Sequence, residues 1–153
     1  MATDRSYVAE NQTQLARLRT LVDSLTDAEL AEPMPAGWTV AAVLAHLAYW
    51  DQRIVVLMDA WGADGRGTPP PSIDGAAVEW INDAGKPLCL ALPPRVAARL
   101  AVEAALAADQ RVAAVSDALL AANAAAGSPL SMRRAEHRRE HLDEIEQMRA
   151  RRR

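Results

Sequence analysis

Apolar residues recur along this chain at helical spacing in four long runs. Tyr7, Leu15, Leu18, Val22 and Leu25 mark the first, predicting a helix from about Arg5 to Leu25. Thr26-Asp27-Ala28-Glu29 is a capping-box pattern and predicts a short helix to about Glu32, which Pro33 and Pro35 break. The second run starts at Thr39 as N-cap, with Trp38 before it stapled onto Val43. Val40, Val43, Leu47, Trp50, Ile54, Leu57 and Trp61 carry it on. Gly62 to Gly75 is rich in Gly and Pro and reads as a loop. A short helix at Ala76 to Ala84 carries Trp80, and Gly85 to Pro94 reads as a second irregular connection. The third long helix covers roughly Arg95 to Ala125, and Gly127 ends it. Ser128-Pro129 opens the fourth, with Ser at the N-cap and Pro in the first turn. That helix is expected to run to about Met148 and fray over Arg149 to Arg153. No segment reads as a strand and no repeat appears. The prediction is an all-α four-helix bundle, one domain over residues 1–153.

Composition sharpens this picture at a few points. Abundant alanine, absent phenylalanine and few β-branched runs favour helix. A net charge of -3 gives no global pull toward nucleic acid or anionic membrane, and the basic end at Arg149 to Arg153 reads as solvated. The polar start from Met1 to Glu10 lacks the apolar core of a signal peptide, and no uninterrupted apolar stretch reaches bilayer length, so the expected compartment is the cytoplasm. The lone Cys89 cannot form an intramolecular disulfide and reads as structural, in a Pro-flanked loop with no base in view. Trp38, Trp50, Trp61 and Trp80 read as core or staple residues. Apolar faces on the first helix make a homodimer an expectation.

The three histidines, His46, His137 and His141, all fall on predicted helices. His137 and His141 are one turn apart and share a face. On the second helix Val43, Leu47, Trp50, Ile54 and Leu57 form the apolar stripe, with His46 on its margin. On the fourth, Leu130, His137, His141, Ile145 and Met148 share a face. His46 lies seven residues past Thr39 and His137 seven past Leu130, so both are at similar depth. In an up-down-up-down bundle those two helices are parallel. The three imidazoles then meet at one level, and two positive helix ends face the same mouth. Each histidine alone reads as a hydrogen-bonded core or surface residue; together they make the minimum set for a three-imidazole metal site.

Gly37-Trp38-Thr39-Val40, Leu44-Ala45-His46-Leu47-Ala48, Ser128-Pro129-Leu130 and Glu136-His137-Arg138-Arg139-Glu140-His141-Leu142-Asp143-Glu144-Ile145 resemble the DinB/YfiT-like superfamily of small metal-binding four-helix bundles. The resemblance covers roughly Leu21 to Trp61 and Ser128 to Gln147. It implies a divalent transition metal on His46, His137 and His141. Imidazole donors suit zinc, nickel, copper and iron, with zinc and nickel the first choices. The superfamily includes bacillithiol and mycothiol S-transferases and the mycothiol-dependent maleylpyruvate isomerase. In that isomerase a glutamate stands where this chain has His137, which argues against the isomerase reaction here.

Three neutral imidazoles leave at least one coordination position open, for water or for a thiol bound as thiolate. A low-molecular-weight-thiol S-transferase is therefore the leading expectation. A metal-dependent hydrolase and a non-catalytic metal- or ligand-binding stress protein are the alternatives. The expected partner is a small anionic or electrophilic molecule. Two residues are candidates for chemistry beside the metal. Arg134 falls on the inward face and would pair with a substrate carboxylate, or else cover apolar surface with its stem. Glu144, three residues after His141, would orient that ring or act as a general base.

Overall fold

The structure, a computed structural model, describes residues 3–152. It is all-α apart from one two-residue ladder. The helices are α1 (Tyr7–Ser24), α2 (Asp27–Leu30), α3 (Val40–Trp61), α4 (Gly75–Ala91), α5 (Pro94–Ala113), α6 (Asp117–Ala125) and α7 (Arg134–Arg151). The ladder joins β1 (Pro33–Met34) to β2 (Trp38–Thr39), antiparallel, with Met34 opposite Trp38. No strand was expected there. The turn between the strands needs positive φ at Ala36 and Gly37, a shape that a helix-period reading does not anticipate.

Helices α1, α3, α5 and α7 form the bundle. Their directions follow from the bonds between them. Tyr7 bonds to the Val112 carbonyl and Arg95 to the Leu25 carbonyl, so α1 and α5 run antiparallel. Asn11 holds Met132 and Ala135, Arg17 holds Asp143 and Glu146, and Arg149 holds Ser24, so α1 and α7 run parallel. Asp51 meets Arg134 near the start of α7, while Glu32, just before α3, meets Arg152 beyond its end. Helices α3 and α7 are therefore antiparallel. The order is up-down-down-up, not up-down-up-down, and α4 lies in the crossover from α3 to α5. The expected pair of helix starts at one mouth does not form.

Local chemistry explains the other departures. The third predicted helix breaks after Ala113, because Ser116 caps α6 through Leu119 N–H and Arg5 takes the carbonyls of Ala113 and Val115. Ser128 does not cap α7. It lies at φ 59°, and Asn123 brackets Leu130 with bonds to both its N–H and its carbonyl. The cap comes from another helix: Asn11 of α1 accepts from Ala135 N–H at 2.8 Å. At the other end α7 continues to Arg151, and Arg149 is tied to Glu29 and Ser24 rather than frayed. Helix α4 runs on through Gly85 and Pro87, where an irregular connection was expected. None of its residues is fully buried, so the carbonyl that Pro87 leaves unpaired is not sealed from water.

The core is asymmetric. Ala97, Ala98, Ala101, Ala105 and Ala108 on α5 are all sealed, and α3 packs against α5 more extensively than against any other element. The buried face of α3 follows Leu44, Leu47, Asp51, Ile54 and Met58, one residue round from the expected stripe; Trp50 and Leu57 are only half-buried. Helix α3 is long and apolar enough to cross a membrane, yet 61% of its apolar window is buried inside the protein. Large exposed apolar residues lie on α3 and α4 (Tyr49, Val56, Trp80, Leu88, Leu90) and not on α1, where they were expected. Trp80 is thus a surface residue, and Cys89 sits in α4, where burial pushes its thiol pKa up.

Candidate metal centre

The ladder and α3 place His46. Thr39 caps α3 by accepting from Ala42 N–H, which fixes the helical phase, and Trp38 packs edge-on against the His46 ring. Helix α7 presents His137 and His141 on one face, facing α3. The three rings converge through the same atom. His46 Nε2 lies 3.1 Å from His137 Nε2, which lies 3.2 Å from His141 Nε2. Their ligating atoms all fall within 4.8 Å of one another. Thus the three predicted histidines do meet, although two premises behind the expectation fail: the helices are antiparallel, and Leu130 lies outside α7.

The donor set fits a cation. Glu144 Oε2 lies 2.9 Å from His141 Nδ1; a carboxylate only accepts, so Nδ1 is the donor there and Nε2 is the nitrogen turned toward the other two rings. A single N–H cannot serve three converging nitrogens well, whereas one cation takes all three lone pairs. Nitrogens bound at 2.0–2.1 Å in a tetrahedral zinc site stand about 3.3 Å apart, close to the two spacings of 3.1 and 3.2 Å about His137. The group could hold a metal ion.

Burial sets the protonation of His46 and His137. Desolvation, with His141 adding repulsion, lowers the His46 pKa to about 4. Desolvation, then the positive charge that His141, His46, Arg134 and Arg138 would add, lowers His137 to about 3. Both rings are neutral and ready to ligate at neutral pH. One consequence concerns the metal-free protein. Below the ordinary value of 6.5 the unfolded chain takes up protons that the folded chain refuses until about pH 4 for His46 and about pH 3 for His137. Its stability is therefore expected to fall as pH drops from 6.5 toward 4. Urea midpoints at pH 7.5 and pH 5 check this, and His46→Gln should flatten the difference. Equal wild-type midpoints would contradict it.

The histidines line a cavity of about 1110 Å³. Met34, Trp38, Val43, Trp50, Val78 and Met148 give it apolar walls; Arg134, Glu140 and Glu144 join it from α7, and Glu79, Asn82 and Asp83 from α4. Asn82 is held to Trp50 by a 2.9 Å bond, and Lys86 bonds to the Ala36 carbonyl across the β1–β2 turn.

Beside the histidines runs a buried ion network that the sequence reading missed. Asp51 bonds Arg134 through one oxygen (2.9 Å) and Arg138 through the other (3.0 Å). Arg138, fully buried, also holds Asp109 at 2.8 Å and the carbonyls of Asn11 and Ala105. Asp109 is pushed up by desolvation, against the pull of Arg138. The signal was present in the sequence: Asp51 is a charge in phase with Leu44, Leu47, Ile54 and Met58. Arg134 is inward, as expected, and Glu144 lies against His141.

This is a helical bundle whose antiparallel α3 and α7 gather three imidazoles in the wall of a cavity. A family model described as the DinB superfamily matches residues 10–150, and the chain belongs to that superfamily. No curated protein and no solved structure matches it.

Proposed function

We propose that this chain is a divalent-metal-dependent enzyme that transfers a low-molecular-weight thiol to a small electrophile. The observation that carries the reading is the convergence of three Nε2 atoms at 3.1 and 3.2 Å in the lining of a roomy, largely apolar cavity. Zinc or nickel on His46, His137 and His141 would supply a Lewis acid with an open position, which lowers the pKa of a thiol. Membership of the DinB superfamily, and the resemblance to its thiol transferases, supports the thiol as co-substrate.

The residues of this chain have separate tasks in that reading. Glu144 holds the His141 ring with its Nε2 facing the cavity, a role in orientation rather than as general base. Trp38 and Trp50 shield the His46 ring from water and offer an apolar wall to the electrophile. In the transfer, the thiol sulfur forms the new S–C bond, the electrophile's leaving group departs with the bonding pair, and the thiol proton goes to solvent.

The test uses full-length protein purified without a metal-affinity tag. Metal content is measured first, then loss of an aryl halide with mycothiol, bacillithiol or no thiol. Metal-dependent S-conjugate formation with one of the thiols is the expected result. Ester hydrolysis without thiol would replace this reading with that of a hydrolase. Metal and thiol binding without turnover would replace it with that of a binding protein.

A further inference from the structure

Arg134 is only 6% exposed, yet its guanidinium is not fully used. Nε donates to Asp51 Oδ1 at 2.9 Å and Nη2 to the Trp50 carbonyl at 3.3 Å. Nη1 has no partner among the described residues, and it is not among the side-chain atoms sealed without one. Arg134 is also among the residues that line the cavity of the three histidines. Asp51 divides its two oxygens between Arg134 and Arg138, and Arg138 also holds Asp109, so the four-residue network is balanced and what Arg134 offers beyond it is one free donor edge. Arg134 precedes His137 by three residues, which places the two side chains about 5–6 Å apart at Cβ on one helix face.

We infer that Arg134 is an anion-recognition residue, and that the cavity takes a ligand bearing a carboxylate a few bonds from the group that meets the three histidines. The substrate or co-substrate is thus a small carboxylic acid, not a neutral electrophile or thiol. This rests on the reading of the cavity as a metal-dependent site, but the anion-binding part stands on Arg134 alone. Two bonds to fixed acceptors hold the guanidinium plane before the ligand arrives, so little side-chain freedom is lost on binding. The carboxylates Glu79, Asp83, Glu140 and Glu144, which line the same cavity, are exposed and water-screened, so they repel an anion beside Arg134 only weakly.

Full-length protein loaded with cobalt(II) reports on the inference through the sulfur-to-cobalt absorption band. The probes are 3-mercaptopropionate and its neutral isostere 3-mercaptopropanamide. The carboxylate is expected to bind about tenfold more tightly, the worth of one charge-assisted bond. Arg134→Gln should abolish the preference while the cobalt spectrum stays that of the wild type, and Arg134→Lys should restore part of it. Equal affinities in the wild type would overturn the role of Arg134 and leave the metal site standing. Wild-type protein labelled with nitrogen-15 on arginine, free of metal, gives a second measurement that needs no variant. Propionate, and not propanamide, is expected to shift the Arg134 side-chain resonance. If cobalt does not bind, the metal reading fails, and this second measurement decides on Arg134: no shift overturns it.

Discussion

Replacing His137 by alanine is expected to lower zinc affinity about a thousandfold. It removes one of three protein bonds from a site whose binding free energy runs to the order of 10 kcal/mol. The central position of His137 makes it the sharpest probe: its Nε2 is the atom that both other imidazoles face, at 3.1 and 3.2 Å. The ring is only partly buried, so the bundle should fold without it. Equilibrium dialysis against a zinc-buffering chelator checks the loss, with circular dichroism as the control for folding. Glu144→Gln should cost less, about 10- to 100-fold, since it touches only the outer edge of His141. Undiminished zinc binding by His137→Ala would remove the three-histidine centre from consideration.

The second large effect concerns Asp51. Asp51→Asn keeps the side chain's shape but removes the charge between two buried guanidinium groups. Arg138 keeps Asp109, while Arg134 is left without any carboxylate. Breaking a buried ion pair on one side costs about 3–5 kcal/mol, because the remaining charge stays buried and unpaired. Urea denaturation should show a lower midpoint with the slope unchanged, the unfolding free energy falling by that amount. A loss under about 1 kcal/mol would mean that water reaches the network. The double variant Asp51→Asn, Arg134→Met should recover part of the loss, since it removes the charge that the single change strands.

What could be read from the sequence was what is local. The spacing of His137 and His141 is a property of one helix turn, and Thr39, seven residues before His46, fixes the phase of the helix that carries it. Family-like motifs lie on the same segments, so the three histidines of the candidate site were legible. The directions of the helices were not. Nothing within α3 or α7 says which way it runs relative to the other; that is set by the long 62–74 segment and by α4, which carry the chain back to start α5 beside the start of α3. The imidazoles share a level because Asp51 clasps Arg134 and Arg138 across the two helices, a contact between residues more than 80 positions apart. The start of α7 was misplaced for the same kind of reason. Its cap is Asn11, in the first helix, and no pattern near Ser128 or Arg134 contains it. The course of α4 through Pro87 was missed because an exposed helix tolerates what a buried one would not.

The alanine face of α5 has a bearing on the histidines it never touches. Helices approach as closely as the side chains between them allow, and a run of methyl groups lets α3 and α5 draw near one another. Helix α3 meets α7 instead through Asp51, two arginines and the imidazoles, which are far bulkier, and that contact is much less extensive. Enlarging α5 at Ala101 or Ala105 would push on α3 and alter the spacing of the three nitrogens. The geometry of the imidazole cluster thus depends on some of the smallest side chains in the molecule.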